Sequence, residues 1–108
     1  MTAQADILTR LENTIAQRRT ASPESSYVAK LHAKGIGTIA QKLGEEATET
    51  VIAAVSGNEN ELIGEAADLV FHLLVLLSAR DIALDSVLAE LSRREGLSGI
   101  EEKASRKE

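Results

Sequence analysis

Glu65-Ala66-Ala67-Asp68-Leu69-Val70-Phe71-His72-Leu73-Leu74-Val75-Leu76-Leu77 is the stretch whose reading decides the fold. At about 100° per residue, Glu61, Glu65, Asp68 and His72 fall within a sector of about 60° on one helix. Nearly every other position from Leu69 to Leu77 is apolar. A helix that is apolar almost all round is buried. A narrow acidic stripe on a buried helix must face something cationic, or its acids must be protonated. The spacing predicts a helix over about Glu59 to Ala79.

Before this helix, Gly57-Asn58 is a turn signal. It follows a predicted helix from about Ile36 to Ser56, with Ile36, Ile39, Ala40, Leu43, Ala47, Val51 and Ala54 as its apolar stripe. Glu46 and Glu49 share a face of that helix. Glu46 borders the apolar side, Glu49 lies one step further out, and Glu45 points most nearly away from the core. Two acidic pairs, E-x-x-E and E-x-x-D, are thus expected to meet across one helix–helix interface. Burying carboxylates without partners is costly, and the lysines and arginines are too scattered to neutralise four acids there. A divalent cation is the economical counter-charge. Mg²⁺ prefers hard oxygen ligands and typically bridges carboxylates to substrate phosphates. Such ions polarise phosphoryl oxygens and activate water. Histidine is not needed for such a site, so zinc is the weaker reading.

Three further helices complete an expected all-α, antiparallel bundle of four to five helices. The first runs from about Ala5 to Arg19, with Ile7, Leu8, Leu11 and Ile15 at helical spacing. The second runs from about Pro23 to Lys34, with Ser22 as its N-cap, and stops at Gly35. A last helix, about Ser86 to Glu95, has Asp85 as N-cap and Gly96 as C-cap signal. Residues 1–97 read as one all-α domain and residues 98–108 as a polar, frayed tail.

Composition narrows the function classes. The chain has 108 residues, a net charge of −5, no cysteine, and only Tyr27 and Phe71 as aromatic residues. Disulfides, cysteine-zinc sites and thiol catalysis are excluded. Few aromatics and a negative charge argue against nucleic-acid binding. The longest apolar run falls short of the ~20 residues of a membrane span, and Met1 to Arg10 has no apolar signal segment. The expectation is a cytoplasmic protein with neither a membrane nor a nucleic-acid partner. An acidic protein still binds a phosphorylated small molecule when metal ions bridge the two.

The run Gly44-Glu45-Glu46-Ala47-Thr48-Glu49, followed by Glu65-Ala66-Ala67-Asp68-Leu69, resembles the E-E-x-x-E … E-x-x-D signature of MazG-like all-α nucleotide pyrophosphohydrolases. Ser26-Tyr27-Val28-Ala29-Lys30-Leu31, Ala33-Lys34-Gly35, Lys42 to Ala54 and Glu65 to Leu77 are similar to the phosphoribosyl-ATP pyrophosphohydrolase family. The likeness covers about Ile7 to Arg94. It implies hydrolysis of phosphoribosyl-ATP to phosphoribosyl-AMP and pyrophosphate, the second step of histidine biosynthesis, with water attacking between the α and β phosphorus atoms. It implies Glu46, Glu49, Glu65 and Asp68 as ligands of Mg²⁺, with Mn²⁺ a possible substitute. Glu45 becomes an auxiliary ligand or orients the attacking water, so Glu45, Glu46 and Glu49 form the implied catalytic set. Lys30, Lys34 and Lys42 become candidate phosphate contacts. The family is dimeric, which suits so apolar a helix in so short a chain.

Blander readings stand beside these. An isolated E-x-x-E pair is usually a solvated face. His72 shares the acidic face and is a candidate substrate contact, although a lone histidine on an apolar helix is more often a hydrogen-bonded core residue. Ser26 and Tyr27 read as the start of a helix, Phe71 as core, and Glu59 and Glu61 as first-turn acids favoured by the helix dipole. Two rival functions remain at this stage: a MazG-like (d)NTP pyrophosphohydrolase, against which the Ser26–Gly35 segment speaks, and a non-enzymatic helical dimerisation module.

Overall fold

The structure, a computed structural model, describes residues 6–97 and 99–106. These form six helices and no strand: α1 (Ile7–Arg18), α2 (Tyr27–Lys34), α3 (Ile36–Ser56), α4 (Glu59–Ala79), α5 (Leu84–Arg94) and α6 (Gly99–Ser105). The all-α expectation holds, and the two long helices have the predicted ends. Asn58 caps α4, its side-chain oxygen accepting from the Glu61 N–H at 3.0 Å. Gly57 closes α3 at φ +81°, a left-handed conformation costly for a residue with a Cβ. This two-residue turn makes α3 and α4 antiparallel neighbours.

Other ends move. Ser22 and Pro23 lie in a turn, where the Ser22 hydroxyl accepts from the Glu24 N–H. The N-cap of α2 is instead Ser26, whose hydroxyl accepts from the Ala29 N–H at 3.1 Å. Asp85 sits in the first turn of α5 rather than at its cap. The Glu12 carboxylate of α1 takes over the capping, accepting from the Leu84 N–H at 2.7 Å. Residues Gly99–Ser105 form a short helix where a frayed tail is expected. Ala5, Ser98, Lys107 and Glu108, on which parts of the terminal expectations fall, lie outside the described residues.

The core collects at one end of the α3–α4 hairpin. Ile15, Val28, Leu31, Ile39, Leu74, Val75 and Leu84 are buried together, with Leu8, Leu11, Phe71, Leu76, Leu77 and Ala79 packed around them. Thus α1 packs on α4 and α2 on α3 at that end, and α5 joins the core through Leu84 at its start. The other end of the hairpin extends beyond this cover. Val51, Ile52, Val55 and Ile63 are 61%, 60%, 83% and 62% exposed. The radius of gyration, 15.9 Å, exceeds the ~13 Å typical of a compact chain of this length.

This geometry corrects two sequence readings. The buried line on α3 runs through Ile39, Glu46 and Ala53, with Leu43 and Thr50 half-buried between them. Val51 and Ala54 of the expected stripe are exposed. Glu46 therefore sits at the centre of the buried side. Nor is α4 buried all round: within one chain only His72, Leu74 and Val75 are fully covered. By length and composition α4 is long and apolar enough to cross a membrane, which counting the uninterrupted apolar run did not reveal. Its acidic stripe lies along α3, its principal packing partner.

Candidate active site

The acids stand midway along the hairpin, beyond the edge of the apolar core. Carboxylate oxygens of Glu46, Glu49 and Glu65 lie within 4.8 Å of one another. Glu46 is only 9% exposed, Glu65 is half-buried and Glu49 is exposed. One oxygen each of Glu46 and Glu65 is buried without a hydrogen-bond partner. Such an orphaned acceptor costs about 1–3 kcal/mol unless something satisfies it. Asp68 is exposed and outside this tight trio, yet close enough for its charge to act on Glu46 and Glu65.

Crowding sets the electrostatics. Burial first, then the adjoining Glu49 carboxyl and the Asp68 charge, push the Glu46 carboxyl up from its ordinary value. The approach of Glu49 first, then burial and the charges of Glu46 and Asp68, raise Glu65. Like charges this close disfavour simultaneous ionisation. A divalent cation held there would remove that conflict and satisfy the two orphaned oxygens. The donor set, oxygen only and anionic, fits a hard cation such as Mg²⁺ better than a soft one.

Two open grooves flank Glu49. One, of ≈ 480 Å³, is lined by Glu49, Ile52, Ala53, Glu61 and Glu65. The other, of ≈ 460 Å³, is lined by Gly44, Glu45, Thr48 and Glu49. Glu61 thus stands beside the cluster, although its place in the first turn of α4 reads as a dipole effect. Its membership of the Glu61–Glu65–Asp68–His72 stripe was the signal that could have found it.

Glu45 turns away from the trio. Its oxygens accept from Lys42 Nζ and Gln41 Nε2, both at 3.2 Å. These hydrogen bonds, Lys42 first, hold the Glu45 carboxyl below its ordinary value, while Glu45 in turn pushes the Lys42 ammonium up. Lys30 and Lys34 are exposed on α2. His72 is buried, and both its ring nitrogens have protein partners: Nδ1 meets the Asp68 carbonyl at 2.7 Å and Nε2 the Tyr27 hydroxyl at 2.9 Å. Tyr27 is thereby more than the start of a helix. Sequence reading passed over it because its partner lies 45 positions away.

Fold and site define a class: an all-helical protein with a carboxylate cluster between two antiparallel helices. Comparison with known proteins makes this particular. A sequence model of phosphoribosyl-ATP pyrophosphohydrolase matches residues 8–95. The chain is 69% identical over 99 residues to the phosphoribosyl-ATP pyrophosphatase of Erythrobacter litoralis, covering 92% of this chain and 95% of the relative. It is 68% identical over 101 residues to that of Novosphingobium aromaticivorans, covering 94% of each. It is 56% identical to that of Trichlorobacter lovleyi over the full length of both. The chain belongs to the phosphoribosyl-ATP pyrophosphohydrolase family and is a hydrolase.

Proposed function

We propose that this chain hydrolyses phosphoribosyl-ATP to phosphoribosyl-AMP and pyrophosphate, the second step of histidine biosynthesis, at the carboxylate seam between α3 and α4. The observation that carries the seam's role is the pair of orphaned, buried oxygens on Glu46 and Glu65 beside Glu49. The substrate is drawn from the family, whose name specifies phosphoribosyl-ATP.

A triphosphate chain and an acidic seam repel each other unless a cation lies between them. Glu46, Glu49, Glu65 and Asp68 would hold Mg²⁺, or Mn²⁺ in its place. The cation supplies Lewis-acid polarisation of the phosphoryl oxygens. Around it, the side chains bind and orient. Lys30, Lys34 and Lys42 offer ammonium groups to the phosphates. In this reading Glu45, which tethers Lys42 and lines the groove beside Glu49, would orient the incoming water. Water adds across the α–β phosphoanhydride: its oxygen bonds to one of the two phosphorus atoms, the bridging P–O bond breaks, pyrophosphate leaves and the water's proton passes to solvent.

The working unit in this reading is a homodimer in the cytoplasm, without nucleic-acid or membrane partners. Support comes from the uncovered apolar end of the hairpin at Val51, Ile52, Val55 and Ile63. An apolar surface of that kind favours a partner surface over water, and a second copy supplies it by symmetry.

The test is pyrophosphate release from phosphoribosyl-ATP with ample Mg²⁺, assayed beside a panel of dNTPs. Preference for phosphoribosyl-ATP is the expected result. Preference for a simple dNTP would move the chain to the broader nucleotide hydrolases, and no release from any nucleotide would leave the acids structural.

A further inference from the structure

His72 has a defined proton arrangement. The Asp68 carbonyl can only accept, so Nδ1 carries the proton in their 2.7 Å contact. In the neutral ring Nε2 is then an acceptor, and the Tyr27 hydroxyl donates to it across 2.9 Å. His72 is 5% exposed and Tyr27 is 47% exposed, so the phenol oxygen lies where a buried ring meets the surface. The rings around it limit its freedom. Tyr27 stacks on Phe71 with centroids 6.2 Å apart, and His72 meets Tyr27 and Phe71 edge-on at 5.8 and 5.2 Å.

Tyr27 is the first residue of α2, a helix of only eight residues. A helix this short is not stable alone and takes its orientation from what it packs on. Val28, Ala29 and Leu31 bury it, but apolar burial is non-directional. A hydrogen bond from Tyr27 to α4 adds direction. Tyr27, Lys30 and Lys34 are spaced i, i+3 and i+7, so they share one face of α2. Turning Tyr27 toward His72 therefore turns the same face, with both lysines, toward the side of the molecule that holds the seam. Tyr27 also lies near Lys42 of α3, whose ammonium is held charged chiefly by Glu45 with a smaller contribution from Tyr27.

We propose that Tyr27 is a positioning residue: its hydrogen bond to His72 fixes the rotation of α2 against the α3–α4 hairpin, and so where Lys30 and Lys34 stand relative to the substrate's phosphates. This rests on the function proposed above. In it, His72 is an anchor for α2 and not a proton carrier, because both its nitrogens are committed to protein partners.

Tyr27→Phe removes one oxygen and keeps the ring stack. The expected result is a KM for phosphoribosyl-ATP raised on the order of five-fold, the scale of one lost hydrogen bond, with kcat much less affected. Amide hydrogen exchange should quicken in α2 while α3 and α4 keep their protection. The ¹⁵N resonance of His72 Nε2 should shift as it loses its hydrogen-bond donor, while the Asp68 carbonyl keeps the proton on Nδ1. His72→Gln, which retains an acceptor near the Nε2 position, should raise KM less than His72→Asn. An unchanged KM in Tyr27→Phe overturns the proposal, as does faster exchange through every helix with a general loss of stability. Should the wild-type protein release no pyrophosphate, the functional reading fails on its own. Unaltered α2 exchange and an unaltered His72 spectrum in Tyr27→Phe would then separately overturn the positioning role of the Tyr27–His72 hydrogen bond.

Discussion

Glu46 of α3 and Glu65 of α4 each direct a buried carboxylate oxygen into the seam between the two helices, and neither oxygen meets a hydrogen-bond donor. Glu49 stands against both. The arrangement is unfavourable for the chain by itself, and in the proposed function a bound cation would relieve it.

Mg²⁺ should raise the melting temperature of the wild-type protein. A ligand that binds only the folded state at 100 times its Kd contributes about 2.7 kcal/mol, and each 1 kcal/mol moves a domain of this size by about 4–8 °C. Glu49→Gln and Asp68→Asn should reduce or remove the rise. Thermal scans with Mg²⁺, with Mn²⁺ and with chelator check it. Equal melting temperatures under all three conditions would contradict the metal reading.

Without metal, Glu46→Gln should be more stable than wild type at about pH 8, and the gain should vanish at about pH 4. The sign follows from the raised carboxyl. Below its ordinary value of 4.5 the group is protonated in both folded and unfolded chains. As pH rises through the folded value, the native state must carry a buried charge beside Glu49, Glu65 and Asp68, and stability falls. Glu65, also raised, works in the same direction. Denaturant titrations in chelator at the two pH values measure the difference.

Glu12→Ala should lower stability by about 0.5–2 kcal/mol, the usual cost of losing an N-terminal cap. Its carboxylate is the group that receives the Leu84 N–H at the start of α5. The seam lies on other helices, so the Mg²⁺-induced rise in melting temperature should persist. Circular dichroism melts of the variant, with and without Mg²⁺, distinguish this from a loss of the site.

Val55→Asp should dissociate the proposed dimer. Val55 is 83% exposed in the single chain, where such a substitution would ordinarily change stability by less than about 0.5 kcal/mol. A buried, unpaired charge at a subunit interface costs several times that. Sedimentation of wild type and variant at matched concentrations decides it, and identical sedimentation would place Val55 outside any interface.

Local signals gave the ends of the two long helices, whereas the expected caps Ser22 and Asp85 gave way to Ser26 and to the Glu12 carboxylate. The ends of α3 and α4 came from Gly35, Gly57 and Asn58, whose effects act on the adjoining backbone. The acidic spacing of Glu46, Glu49, Glu65 and Asp68 is visible on a helical wheel for the same reason. The wheel nevertheless puts Glu46 at the border of the buried side, because Val51 and Ala54 count as core on a wheel that has no second chain and no neighbouring helix. Exposure of those two residues shows which apolar face α4 covers and which it leaves open.

The sequence by itself determined an all-helical chain, its long antiparallel hairpin and the acidic spacing on both its helices, since each follows from periodicity and backbone chemistry within a few residues. Only the tertiary structure decided that Glu46 is the buried member, that Asp68 stands apart from the trio, that Glu12 caps α5, and that Tyr27 reaches His72. The last two contacts join residues 72 and 45 positions apart. Their geometry depends on how whole helices rotate and pack against one another, and helical periodicity within one segment carries no record of that rotation.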